Sequence, residues 1–176
     1  MNKKFSHLIP AAGEHSPFYQ PYIDALAGEN PLESLKTDLD YQIDLLDNSP
    51  GLKLDYKYEF NKWTLRQLII HLIDTERIMS WRILAATRGD QNNYSGYDQD
   101  LYARATANDQ RKWVELRKEW KVVRKSTRLL ISSLQEGDWQ KSICIDENEI
   151  SVRSLLHIIC GHARVHFKIV QNKYLP

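Results

Sequence analysis

The chain has 176 residues, of which 42% are apolar and 27% charged, and its 24 Lys and Arg against 23 Asp and Glu give a net charge of +1. Domains usually hold roughly 100–200 residues, so this length predicts one domain over residues 1–176. The balanced charge argues against a nucleic-acid partner, because such proteins usually carry a large positive excess.

Membrane insertion, secretion and a disulfide framework are not expected from this sequence. No apolar run approaches the roughly 20 residues of a membrane span, and the N-terminus lacks the long apolar core of a secretory signal. Two cysteines, Cys144 and Cys160, are too few for a disulfide scaffold. These features predict a soluble, cytoplasmic protein with no membrane partner.

The first part of the chain predicts a short helix followed by a long one. Prolines and glycines interrupt residues 1–30, which are expected to be irregular apart from a short helix at 18–27. The pair Asn30-Pro31 then opens an amphipathic helix, because asparagine caps a helix well and proline suits its first position. This first long helix ends at the turn 48–51. Its apolar residues, spaced by three and four, are Leu32, Leu35, Leu39, Ile43 and Leu46.

The second long helix is predicted over 63–87, and the segment after it has no helical period. The apolar arc of this helix is wide, so we expect it to lie centrally with neighbours on two sides. A helix of about 25 residues is about 37 Å long, and the segment 89–105 reaches roughly 55 Å when extended. It is therefore long enough to cross back over the protein and make the second and third long helices parallel.

The rest of the chain predicts two more long helices with a hairpin between them. The third long helix is expected over 106–135, with Gly137 ending it. Weak alternation of apolar residues in 138–150 suggests a short hairpin. The last helix is predicted from Ser151 to about residue 174. Four long helices and little strand signal predict an all-α fold, a four-helix bundle with a long crossover between its second and third helices.

Three histidines occupy positions where the helical pattern calls for aliphatic residues. His162 and His166 lie four residues apart in the last helix, on one face and about 6 Å apart along its axis. His71 takes the corresponding position in the second long helix. If both faces point inward, three neutral imidazoles meet in the core, where each unpaired ring costs about 1–3 kcal/mol.

Two interpretations of these histidines remain open from the pattern alone. Each ring is an ordinary core histidine with a hydrogen bond, or the three rings together hold a divalent cation. Three histidine ligands leave one coordination position for water or substrate, whereas a structural site is closed by four protein ligands. A metal there would activate water, polarise a carbonyl or hold a thiolate.

Three neighbours of His71 on the same helix are candidates for supporting roles. Asp74 is a candidate general base or hydrogen-bond acceptor for a metal ligand, and equally a surface carboxylate paired with Arg77. Glu76 faces another side of the helix and is expected in a structural ion pair. Thr75, one turn from His71, either lines the site or fills the helix interface.

The remaining histidines and both cysteines are expected to take no part in the chemistry. His157 lies about 140° around the helix from His162, so it is not expected to be a ligand. Cys160 points about 200° away from His162, which is a poor position for a nucleophilic pair. We expect both Cys144 and Cys160 to be small buried apolar residues, and His7 and His15 to be incidental.

The two histidine-bearing segments resemble a known family. Residues 62–78 (KWTLRQLIIHLIDTERI) and 161–166 (GHARVH) are similar to the signature segments of the DinB-like (damage-inducible) superfamily, and the linker 88–100 is similar to one subgroup of it. The similarity covers roughly residues 17–175. It implies a four-helix bundle with up-down-down-up topology and, in many members, a homodimer.

The resemblance also implies a metal and an activity. It places a divalent ion, often nickel or zinc, on His71, His162 and His166; many relatives have a further histidine where this chain has Val165. Members include thiol-dependent transferases and isomerases and proteins described as metal-dependent hydrolases. The expectation is an enzyme that activates a low-molecular-weight thiol or water toward a small-molecule substrate. The alternative is a non-catalytic dimeric helical bundle with a structural or sensing metal.

Overall fold

The computed structural model describes residues 3–175 and is mostly helical. The α-helices in this part of the chain are α1 (Gln20–Asp24), α2 (Pro31–Asp47), α3 (Leu65–Thr87), α4 (Gln99–Ala105), α5 (Trp113–Ser132) and α6 (Val152–Ile169). Its strands are β1 (Asn93–Tyr94), β2 (Ser142–Ile145) and β3 (Asn148–Ser151). Short 3₁₀ segments cover Lys3–Leu8, Pro17–Tyr19 and Glu136–Asp138, and a π-helical turn, Val170–Tyr174, follows α6.

The four long helices pack side by side, with α3 and α2 each in contact with both α5 and α6. The apolar residues form two clusters along this packing. Helix α3 contributes residues 65–73 to one cluster and residues 79–86 to the other, and α6 likewise contributes to both. Buried polar residues lie between the two clusters, among them Thr75, Glu76 and His162. The candidate functional residues therefore belong to a polar layer in the middle of the helices.

Helix α3 is buried on more than one side, as its wide apolar arc predicts. Leu68, Ile69 and Ile70 are consecutive residues that point about 100° apart around the helix, and each is no more than 3% exposed. The helix begins after Thr64, whose hydroxyl accepts from the backbone N–H of Gln67, while the Gln67 side chain accepts from the backbone N–H of Thr64. This reciprocal cap sets where the helix starts, two residues later than the sequence pattern suggested.

Helix α5 is shorter than predicted. Its expected range was 106–135, but the Asp109 carboxylate accepts hydrogen bonds from both the backbone and the guanidinium of Arg111, which holds this part of the chain in a turn. The helix begins only after Lys112, and it ends at Ser132, five residues before Gly137. Gly137 lies instead in a separate 3₁₀ turn.

The prediction of an all-α fold is wrong in one respect, because the described residues include a small mixed sheet. The hairpin predicted within 138–150 is confirmed as β2 and β3, which pair in antiparallel register with Ile143 opposite Ile150. Its turn residues, Asp146 and Glu147, have φ values of 47° and 60°, as a two-residue hairpin turn requires. Strand β1 then pairs in parallel with β2, with Asn93 opposite Cys144. Two residues are too few to produce a periodic signal in the sequence.

The segment 89–105, predicted to have no regular structure, contains β1 and the helix α4. The Asp98 carboxylate caps α4 by accepting from the backbone N–H groups of Asp100 and Leu101. Near the N-terminus, residues 1–30 also contain more structure than expected, since Leu8 is buried at the end of a 3₁₀ segment. The helix predicted at 18–27 is reduced to a 3₁₀ turn and the five residues of α1.

No helix within residues 3–175 combines the length and the apolar character needed to cross a bilayer.

Candidate metal centre

The structure brings together the three histidines that the sequence pattern singled out. His71 on α3 and His162 and His166 on α6 each offer a ring nitrogen, and these nitrogens lie within 4.8 Å of one another. The Nε2 atoms of His71 and His162 are 3.0 Å apart. Within residues 3–175, no cysteine, carboxylate or further histidine joins this group. The three rings thus form a compact cluster across the interface between α3 and α6.

Burial keeps all three imidazoles neutral. Desolvation lowers the pKa of His71 to about 3, with a smaller contribution from repulsion by His166. Desolvation also lowers the pKa of His166 to about 4 and that of His162 well below its ordinary value. Neutral rings carry free lone pairs at neutral pH, which is the form in which histidine binds metals.

The donor set fits a divalent metal ion. Two nitrogens that each lie about 2.1 Å from one ion are about 3.0–3.4 Å apart, which is the range in which the Nε2 atoms of His71 and His162 lie. In addition, the buried Nδ1 of His166 has no hydrogen-bond partner among residues 3–175. Neutral rings whose nitrogens face one another leave lone pairs unsatisfied, and a cation satisfies them.

A hydrogen-bonded pair from α3 and the crossover segment supports the His71 ring. The Thr75 hydroxyl lies 3.5 Å from Nδ1 of His71 and 2.6 Å from the hydroxyl of Tyr97. An Nδ1–H that donates to Thr75 leaves Nε2 of His71 with the lone pair that faces His162. Burial raises the pKa of Tyr97 to about 12, so this hydroxyl keeps its proton. Sequence analysis missed Tyr97 because it lies in a segment without periodicity.

Aromatic side chains enclose the cluster on two sides. The Trp63 ring lies edge-on against His71 with centroids 4.9 Å apart, and Tyr22 of α1 meets His162 in the same way at 5.1 Å. Helix α1 approaches α6 closely at Gly161, where a Cβ atom would lie 1.9 Å from the Tyr22 carbonyl oxygen. Only glycine fits there, which explains its place directly before His162.

A cavity of about 380 Å³ reaches His162. Its walls combine aromatic rings with hydroxyl, amide and carboxylate groups, so it has both an apolar surface and polar groups to orient a ligand. Thr75 is among the lining residues, in agreement with the interpretation that it lines the site. The aromatic and polar residues in the wall are Ser16, Phe18, Tyr19, Tyr22, Thr75, Tyr97, Asp98, Gln99, Asp146, Asn148 and His162.

Asp74 lies near the cluster in sequence but pairs elsewhere. Its carboxylate is 3.4 Å from Arg77, which in turn donates to Glu119 of α5 at 2.7 Å. Burial raises the pKa of Asp74, and the Arg77 charge partly opposes this rise. The interpretation as a carboxylate paired with Arg77 therefore matches a contact in the structure, while a role as general base stays a prediction.

The other candidates mostly lie where the sequence placed them. Glu76 forms a buried ion pair with Arg124 of α5 at 2.7 Å, as expected of a structural pair. His157 is outside the histidine cluster and donates its Nδ1–H to the Arg153 carbonyl at 3.0 Å. Cys160 is buried, but Cys144 is only partly buried in β2, so the expectation of two buried cysteines is wrong for Cys144.

Comparisons with known proteins support this assignment of fold and family. No curated protein matches the sequence significantly. Among solved structures, YfiT from Bacillus subtilis is similar over 92% of this chain and 89% of its own, with 15% identity and a TM-score of 0.66. YfiT is described as a probable metal-dependent hydrolase with an unusual four-helix bundle topology. A family model described as the DinB superfamily matches residues 35–170; this confirms the resemblance of the two histidine motifs, and the chain belongs to the DinB superfamily.

Proposed function

We propose that this protein is a metal-dependent enzyme in which His71, His162 and His166 hold a divalent ion. The observation that carries the proposal is the cluster of three neutral imidazoles, one of which, His162, lines a cavity, with no fourth protein ligand among residues 3–175. Three histidines suit nickel or zinc. Such an ion lowers the pKa of a coordinated water or thiol and so supplies a nucleophile at neutral pH.

The protein's own groups prepare the site for this chemistry. The Thr75 hydroxyl lies 3.5 Å from Nδ1 of His71, and the rings of Trp63 and Tyr22 keep bulk water away from the histidines. The Tyr97 hydroxyl, held in its protonated form, is available to donate a hydrogen bond to a ligand in the cavity. These groups bind, orient and exclude water, and we assign them no covalent role.

Two reactions use such a site, and both remain within the proposal. Activated water makes the enzyme a hydrolase, the description given to the structurally similar YfiT. A small thiol bound as thiolate makes it a transferase toward an electrophilic substrate. The non-catalytic alternative is an ion that only links α3 to α6. The cavity that reaches His162 favours catalysis, because a purely structural site is closed by protein ligands.

Metal analysis of the purified protein tests the proposal. We expect close to one divalent ion per chain in the wild type, almost none in His162→Ala, and an unchanged content in His157→Gln, which alters a buried histidine of the same helix outside the cluster. A parallel screen offers the protein ester and amide substrates, and then small thiols with electrophilic acceptors. Full metal content in His162→Ala would contradict the site.

We also propose that the long helices have up-down-down-up topology, and the order of the contacts between helices supports it. In the pair α3 and α5 and in the pair α2 and α6, residues later in one helix contact residues later in the other. Parallel helices give this order of contacts. These pairs are Arg77–Glu119 and Ser80–Thr127, and Pro31–Cys160 and Asp38–Arg164. Spin labels at the first turns of α3 and α5 test the arrangement, since parallel helices place these labels close together and antiparallel helices separate them.

A single domain, a homodimer and a cytoplasmic location are proposals as well. The dimer comes from the resemblance to family members, and light scattering on the purified protein checks it. Limited proteolysis tests the single domain, because two independently folded units give two stable fragments. Cell fractionation tests the location.

A further inference from the structure

Arg82 is a buried cation without an acidic partner among residues 3–175. Arg82 lies on α3 and is only 2% exposed, and no carboxylate within residues 3–175 pairs with it. Its Nε atom is buried without any hydrogen-bond partner in this part of the chain. Nη1 reaches only the Tyr19 hydroxyl at 3.4 Å and the Met79 sulfur at 3.7 Å, which are long and weak contacts.

The other arginines with little exposure in this protein do have such partners. Each is held by one or two carboxylates, so the fold generally compensates the charge of a guanidinium that it buries. These pairs are Arg66 with Asp55, Arg124 with Glu76, Arg153 with Glu14, and Arg164 with Glu29 and Asp38.

The missing partner matters because a buried arginine does not become neutral by losing its proton. A buried lysine or histidine loses its proton, but the guanidinium stays protonated at every physiological pH. A buried cation without an anion is strongly unfavourable. A side chain of this kind is expected where an anionic ligand completes the pairing.

The position of Arg82 connects it with the candidate metal centre. Residues 71, 75, 79 and 82 follow one another at steps of four and three, so His71, Thr75, Met79 and Arg82 lie on one face of α3. Both side chains that Nη1 contacts, Tyr19 and Met79, line the cavity that reaches His162. The Cα atoms of His71 and Arg82 are about 16 Å apart along the helix. The cavity therefore extends from His162 to the two side chains that cover the Arg82 guanidinium.

We propose that the substrate of this protein carries a carboxylate that pairs with Arg82 while its reacting end lies at the three histidines. The placement of the reacting end depends on the function proposed above, whereas the pairing with Arg82 does not. The planar guanidinium fork matches a carboxylate through two parallel hydrogen bonds. The aromatic and aliphatic walls of the cavity hold the chain between the two ends, so the substrate class is an elongated organic acid.

Titration calorimetry with hexanoate and 1-hexanol tests this inference on the full-length protein, as purified and after removal of metal by a chelator. The chelated sample is needed because a carboxylate also binds metals. We expect hexanoate to bind the wild type in both samples and at least tenfold more weakly to Arg82→Met. Arg128→Met removes an exposed arginine from α5 and is expected to leave hexanoate affinity unchanged. Hexanol, without the carboxylate, is expected to bind the wild type and Arg82→Met equally.

Two results would overturn the inference: no hexanoate binding by the chelated wild type, or equal affinity in the wild type and Arg82→Met. Should Arg82→Met fail to fold, Arg82→Gln replaces it with the same expectation. A protein that binds no metal yet loses hexanoate affinity in Arg82→Met would refute the metal centre and leave the anion site standing. The two proposals therefore fail separately.

Discussion

Helix α3 contributes to two buried polar groups that differ in how completely they are paired. Toward α5, the Glu76 carboxylate accepts two hydrogen bonds from Arg124, at 2.7 and 3.0 Å, and Arg124 also donates to the Leu35 carbonyl. Toward α6, His71 meets His162 and His166, and no carboxylate within residues 3–175 pairs with these rings. Both groups lie in the same polar layer between the two apolar clusters.

The completeness of pairing distinguishes a buried polar group that stabilises the fold from one that can bind a ligand. The Glu76–Arg124 pair satisfies its own charges, so nothing remains for a ligand and removal of either partner leaves an uncompensated charge. The histidine cluster carries no charge in the folded protein and has lone pairs to spare. The first group is expected to hold helices together, and the second to bind something. The following predictions test that division.

Arg124→Ala is expected to have the largest effect on folding. It leaves Glu76 buried without its partner, which costs about 3–5 kcal/mol of the free energy of unfolding. Urea unfolding measures this loss. Arg117→Ala breaks the partly exposed pair with Asp47 as a matched control and should cost less than about 1 kcal/mol. Similar losses in the two variants would mean that Glu76–Arg124 is not the structural pair described here.

Asp74→Asn tests whether Asp74 acts at the histidine cluster or only pairs with Arg77. If Asp74 acts as a general base, the variant keeps its metal and loses roughly 10²–10⁴-fold in turnover. If it is only the partner of Arg77, activity stays close to that of the wild type. Metal content and turnover, measured on the same preparation, distinguish these outcomes. The sequence left both roles open; unchanged turnover would exclude the general base, and lost turnover with full metal content would exclude a role in the Arg77 pair alone.

Gly161→Ala disturbs the histidine side alone. The added Cβ would lie 1.9 Å from the Tyr22 carbonyl oxygen, so α1 must move away from α6. Overpacking of this kind typically costs about 1–3 kcal/mol. We also expect weaker metal binding, because Tyr22 packs against His162. Gly137→Ala is the control, since nothing lies near its added Cβ, and it should leave unfolding and metal affinity unchanged.

His162→Leu in the metal-free protein is expected to have the smallest effect on folding. Since the neutral ring packs against His71, His166 and Tyr22 and pairs with no charged group among residues 3–175, an apolar replacement of similar size should change the free energy of unfolding by about 1 kcal/mol or less at neutral pH. Urea unfolding after chelation measures it. A loss as large as that of Arg124→Ala would show that the cluster is structural.

The same variant should change the pH dependence of folding. The folded-state pKa values of His71 and His166, about 3 and about 4, lie below the ordinary value of 6.5, so the unfolded chain binds protons more readily. Stability is therefore full above pH 6.5 and declines as the pH falls toward 4, by up to about 1.4 kcal/mol per pH unit for each ring. His162→Leu removes one such ring and should flatten the decline. An equal slope in both proteins contradicts the prediction.

Much of the histidine cluster was predictable because helical spacing is local. The four-residue step from His162 to His166 places both rings on one face whatever surrounds the helix. The pattern around His71 shows equally that this ring points toward the core. The Glu76 ion pair was also expected, although its partner, Arg124, lies 48 residues away along the chain and was not identifiable.

Residues whose roles depend on distant contacts were not predictable. Tyr97 reaches Thr75 only because β1 pairs with β2 and holds the crossover segment near α3. Tyr22 meets His162 only because α1 approaches Gly161, and no periodicity marks that approach. Arg82 looks like any helical arginine in the sequence, and only the packing of residues 3–175 around it shows that none of their carboxylates pairs with it.

The amino-acid sequence by itself determined the long helices, their inward faces and the three imidazoles, since each of these follows from spacing within one helix. The tertiary structure alone decided which side chains enclose those imidazoles, where the cavity lies and which buried charge has no partner. These features depend on contacts between segments that are far apart in the chain. Residue spacing within one helix does not predict such contacts.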